Sequence, residues 1–249
     1  MEVFGSDRIE LTCDDGLGFK NGASDEVWFL KSRLSGGAVQ NLDPEWCEER
    51  LTQLDFSVDL FYGALDLAAA DVRTCTDFDA PAMRGFMFWS RTNRYIAEGL
   101  DPEGWQRTSR DSILRMIHPS MSHAVTAISA KGGVGDLNAK VRSKNPKGAA
   151  MARMVEKNGQ FALLSHDEVL YGRELDQIPT WCLLYEWDKG VISAELSLPI
   201  KMNGKFVDEW QERIPLRLPD LGDPGADIAL LDDPGDGSGP EVVVELLGG

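Results

Sequence analysis

The chain has 249 residues, 43% of them hydrophobic, with 25 Lys/Arg against 41 Asp/Glu and a net charge of −16. That length is enough to bury the core of one large domain or two small ones. The acidity repels DNA and anionic membrane at long range, so the general surface is excluded as a polyanion site.

No run approaches the roughly 18 apolar residues that a bilayer span needs. The opening MEVFGSDRIE lacks the basic and apolar regions of a signal peptide. Cys13, Cys47, Cys75 and Cys182 are scattered, with no zinc-ligand spacing. The expectation is a cytoplasmic protein with reduced thiols and no resident metal. The fold class expected is α+β. Short N-terminal strands should precede a helical pair or three-helix layer, followed by a C-terminal antiparallel β-meander. Residues 1–218 read as one domain, with a subdivision allowed near 120–160. An acidic Gly/Pro/Asp-rich linker (219–240) and a terminal strand or tail (241–249) follow.

In chain order, strands are expected at 8–13, where Ile9 and Leu11 alternate with Glu10 and Thr12, and at 26–31. Residues 43–72 predict one long helix. Asp43 suits the N-cap and Pro44 the first turn, and Leu51, Leu54, Val58, Phe61, Leu65 and Val72 form a stripe. A second helix should open at Asp79 and Pro81 and end at Gly99. A third is expected over 108–117, ended by His118-Pro119. Residues 125–129 predict a strand, 147–157 a helix stopped by Asn158-Gly159, and 161–164 another strand. The meander occupies 180–218. Its turns are Asp188-Lys189-Gly190 and Asn203-Gly204, and Ile192, Ala194 and Leu196 alternate with Ser193, Glu195 and Ser197.

Charge is unevenly distributed. Residues 131–160 hold seven Lys/Arg and two Asp/Glu, net +5, between flanks of −9 and −12. Lys131, Lys140, Arg142, Lys144 and Lys147 lie beside flexible glycines and just before a predicted helix N-terminus. Backbone N–H groups and cations together attract an anion there. The functional expectation is a binding protein whose loop 131–157 contacts phosphate groups of a nucleic acid or nucleotide. No cofactor can be assigned. The alternatives are a phosphodiester- or nucleotide-hydrolysing enzyme, and an acidic structural subunit that docks a protein partner on its acidic surface. The catalytic candidates of the enzyme reading are Asp136, His118, His123 and His166.

Five motifs fail on their own chemistry. Lys131, Gly132, Gly133 and Gly135 resemble the deviant Walker A loop, KGGxGK[ST]. Asp136, however, stands where the phosphate-binding lysine belongs, and Leu137 replaces the Mg²⁺-holding hydroxyl. His166-Asp167 spells the metal pair of HD phosphohydrolases without their helical context. No D/E-x-K lies on a strand as a PD-(D/E)xK nuclease requires, and no G-x-S-x-G elbow is present. The terminal Gly248-Gly249 resembles a ubiquitin-like tail, but a linker precedes it rather than a compact fold. If the histidines and Asp136 converge with the basic loop in one pocket, the enzyme reading gains; if not, it loses its support.

Overall fold

The structure, a computed structural model, describes residues 39–40, 43–161, 178–188 and 190–219. The strands expected at 8–13 and 26–31, residues 162–164, Cys13, His166, Lys189 and the expected linker and tail beyond Pro219 lie outside the described residues.

The elements are β1 (Val39–Gln40), α1 (Pro44–Gln53), α2 (Val58–Val72), α3 (Met83–Leu100), β2 (Gln106–Thr108), β3 (Arg115–Ile117), β4 (Ala124–Lys131), β5 (Arg142–Ser143), α4 (Ala149–Phe161), β6 (Thr180–Asp188), β7 (Val191–Asn203) and β8 (Phe206–Leu216). The fold is α+β. One sheet runs β1-β8-β7-β6-β4-β3-β2, and β5 pairs with the far end of β4. β6, β7 and β8 form the expected antiparallel meander. β2, β3 and β4 are also antiparallel. The two halves meet where β4 runs parallel to β6, from Ala124↔Thr180 to Ser129↔Tyr185. Among the described residues no helix is long and apolar enough to cross a membrane.

Strand alternation sends Leu183, Ala194, Leu196 and Ile214 to one face, where α1, α2 and α3 cover them. Cys182, Leu184, Val207 and Trp210 go to the other, under α4 and the glycine loop. The sheet is therefore covered on both faces. Glu195 and Ser197, the polar side of β7, are fully buried.

Three helical expectations change. The helix expected over 43–72 is two helices, because Asp55 takes a left-handed backbone (φ 53°) and Ser57 caps α2 by accepting from Leu60 N. The expected start is right: Asp43 accepts from Glu45 N, with Pro44 in the first turn. The helix expected over 108–117 is absent. Asp111 and Ser112 have φ of 58° and 60°, and the wholly buried Arg115–Ile117 joins the sheet instead. Neither Gly99 nor Asn158-Gly159 stops its helix. A Cβ on Gly99 would lie 2.6 Å from Leu60 Cδ1, and one on Gly159 2.8 Å from the Ile200 carbonyl oxygen. Both glycines serve close packing.

Two buried asparagines stand in for missing strand partners. β3 pairs with β4 only at Ala124 and Val125. Beyond that, Asn93 of α3 accepts from Ala127 N (2.9 Å) and donates to Ala127 O (3.1 Å). On the other face, Asn158 of α4 accepts from Thr180 N and donates to Thr180 O and Pro199 O, each at 2.9 Å. Pro199 carries no N–H, and the β7–β8 register shifts beside it.

Candidate functional site

The glycine loop leaves β4 at Lys131. Gly132, Gly133 and Gly135 all have positive φ (103°, 96° and 87°), which turns successive amides inward. Such a concavity of N–H groups holds an anion. The anion belongs to the chain itself. Glu186 accepts from Gly132 N (3.1 Å), Gly133 N (2.9 Å) and Val134 N (3.0 Å). Glu195 accepts from Gly135 N (2.8 Å).

Glu195 is held in turn by Arg213. The guanidinium grips both carboxylate oxygens through Nε (2.8 Å) and Nη2 (2.7 Å), and Ser197 donates to the first of them. The remaining guanidinium N–H groups donate to the carbonyls of Asp136, Leu137 and Ala139. All five donors of Arg213 are used, so one side chain straps the loop to the sheet. Asp136 is exposed, and its carboxylate accepts from Asn138 N within the loop.

The predicted cations lie outside that concavity. Lys131 and Arg142 are directly paired across β4 and β5, so both side chains leave the same face. Arg142 stacks 4.5 Å from the Phe206 ring centroid. Lys144 is anchored by its amide to Ser129 O. Lys131, Lys140, Arg142 and Lys144 have no carboxylate within ion-pair range among the described residues. Lys147 joins the tip of the β7–β8 hairpin through its amide to Lys205 O. Its charge also lies near the Cys182 thiol, which burial nonetheless pushes up to about 12. Five predicted cations thus gather at one end of the sheet, joined by Lys205 and Phe206, which no sequence motif marked.

His118 and His123 are at the opposite end of β4. An eight-residue strand is about 23 Å long at roughly 3.3 Å per residue, so His118 and His123 do not converge with Asp136 or the basic loop. They flank the β3–β4 turn, closed by His118 N donating to His123 O. Their rings stack 4.9 Å apart. His118 Nε2 lies 2.7 Å from Asp55 Oδ2, and its Nδ1 lies 2.6 Å from Ser120 Oγ. The Ser120 amide also donates to Nδ1 (3.1 Å), which makes that nitrogen an acceptor and leaves the proton on Nε2, toward Asp55. His123 donates from Nε2 to Leu54 O (3.0 Å), so its Nδ1 accepts from the Ser122 hydroxyl (2.8 Å).

His123 is buried among Phe56, Trp105 and His118. Burial first, and the nearby His118 second, lower its pKa from 6.5 to about 4. The unfolded chain therefore binds this proton more tightly than the folded one. Stability is complete above about pH 6.5 and falls as pH drops toward 4, by about 3 kcal/mol from this group. Denaturant midpoints at pH 7.5 and pH 5 should differ more in the parent than in His123→Leu.

Among the described residues no three His, Cys, Asp or Glu side chains are grouped to hold a metal. Comparison of the chain with protein-family models, curated proteins and solved structures finds no match.

Proposed function

We propose that the chain is a cytoplasmic binding protein that contacts phosphate groups of a nucleic acid or nucleotide. Contact is made through Lys131, Lys140, Arg142, Lys144 and Lys147. One observation supports this reading. In a protein of net charge −16, four of these cations sit together without a carboxylate partner among the described residues. Like charges held side by side, as Lys131 and Arg142 are, cost stability unless an anion neutralises them. The ligand would meet side chains and not the loop amides, which Glu186 and Glu195 already occupy. Phe206, under Arg142, adds an aromatic surface of the kind on which bases stack.

Fluorescence anisotropy with labelled single- and double-stranded oligonucleotides tests the proposal. Binding should weaken steeply with salt, with a log–log slope of about −3 if four phosphates of a single strand are neutralised. Joint Lys140→Glu, Arg142→Glu and Lys144→Glu substitution should abolish it. Absence of salt-sensitive binding by the parent protein would defeat the proposal.

A further inference from the structure

We propose that the cavity between α4 and the start of β3 binds the phosphate monoester of a small molecule, one no larger than a short carbon chain or a single sugar. Arg115 is its anchor. Three observations carry the inference.

The first is the charge of the lining. The cavity has a volume of about 180 Å³, and Arg110, Arg115, Arg153 and Lys157 line it against one carboxylate, Asp111. The lining is thus net +3 in a chain of net −16. Separate segments supply it. Arg110 and Asp111 lie in the turn between β2 and β3, Arg115 opens β3, and Arg153 and Lys157 belong to α4. Along α4, Arg153 and Lys157 are four residues apart, so one helix face turns both toward the cavity.

The second is depth. Arg115 is 8% exposed, so its charge sits in the wall and not on the rim. Its Nη1 donates to Thr180 Oγ1 (3.4 Å), which ties the guanidinium to a second strand. A cation this deep acts on a bound anion through less water than a surface cation does. Its planar fork of donors also matches the oxygens of a phosphate. Lys157 is half-buried, and Arg110 and Arg153 are exposed. Met154, buried in the same wall, suits the carbon part of the ligand.

The third is the exposed acid. Asp111 and Ser112 hold left-handed backbones, φ 58° and 60°, a strain that collects at binding sites. The Asp111 carboxylate lies 3.1 Å from Arg153 Nη2, with both side chains about half exposed at 51% and 55%. Such a pair is worth little in water. A dianion entering the cavity takes Arg153 from Asp111, so Asp111 is the ligand's competitor.

Size and charge then select the ligand. The volume equals that of about six waters at roughly 30 Å³ each, below the roughly 300 Å³ at which ordinary ligand cavities begin. A phosphate on a short polyol fits those limits, and a monocarboxylate would leave most of the charge uncompensated. The site is also apart from the basic edge. Met116 of β3 pairs with Val125, six residues before Lys131, or about 20 Å at roughly 3.3 Å per residue.

Isothermal titration calorimetry of the full chain with glycerol 3-phosphate, at constant ionic strength and with glycerol as the uncharged control, tests the proposal. The expected result is one site with Kd below about 1 mM, and no heat with glycerol. Arg115→Met and Lys157→Met should each weaken binding by about 10-fold or more. Thermal melts show whether Arg115→Met still folds; Lys157, only half-buried, keeps the test open if it does not. Asp111→Asn should tighten binding several-fold, since asparagine keeps the left-handed backbone and removes the competing charge. A purely structural aspartate would give no gain. Oligonucleotides with and without a 5′-phosphate should bind the protein equally, and Lys157→Met should leave that binding unchanged, so the two sites stand or fall separately. Absence of saturable binding by the parent protein, equal affinity in folded Lys157→Met, no gain in Asp111→Asn, or a preference for the 5′-phosphorylated oligonucleotide would overturn the proposal.

Discussion

Arg213→Met is expected to lower the unfolding free energy by about 3–5 kcal/mol. For a chain of this size that is a fall in melting temperature of about 10 °C. The cause is the charge left behind. Glu195 is fully buried, and Arg213 supplies two of the four hydrogen bonds to its carboxylate. Without them the carboxylate keeps only Gly135 N and Ser197 Oγ. Three loop carbonyls lose their donor at the same time. Adding Glu195→Gln should recover part of the loss, since an amide oxygen still accepts from Gly135 N and no buried charge remains. Differential scanning calorimetry of the two proteins decides it. A double variant no more stable than Arg213→Met would mean that the loop carbonyls, and not the charge, dominate.

Asn158→Ala should cost about 3 kcal/mol or more, because three buried main-chain groups lose their partner together. Thr180 N, Thr180 O and Pro199 O sit where β6 and β7 would pair had Pro199 an N–H. Asn93→Ala should cost less. It strands Ala127 N, but Ala127 O still accepts from Trp89 Nε1 at 3.1 Å. The order of the two variants in urea denaturation checks the interpretation. Equal losses would mean that side-chain volume, and not the orphaned backbone, sets the cost.

The meander and the first helical turn were legible because their signals are local: alternation, tight turns, and Asp43 followed by Pro44. What was not legible depends on contacts from distant segments. Gly99 and Gly159 look like helix stops in the sequence, yet each is glycine because another element presses on it. Residues 108–117 hold enough apolar side chains for a helix, but a sheet edge claims Arg115–Ile117. The candidate site divides in the same way. The cationic cluster was visible as composition. The carboxylates that fill the loop amides come from β6 and β7, 53 and 60 residues away along the chain, and no motif pairs them. Asp55 was read as part of a helix. Only the break at that residue brings its carboxylate to His118.

The parallel pairing of β4 with β6 also orders the events of folding. Each hairpin in the sheet closes over a few residues, a microsecond event in isolation. Joining Ala124 to Thr180 instead closes a loop of more than 50 residues, at an entropic cost of about 4 kcal/mol before any contact repays it. That loop contains the glycine turn, β5 and α4. Glu186 and Glu195 reach the loop amides only after β6 has docked. Arg213, carried on the β7–β8 hairpin, then binds the three loop carbonyls and locks the connection. The contacts of Glu195 and Arg213 with the loop are thus late ones, which govern how slowly the native state opens more than how fast it forms.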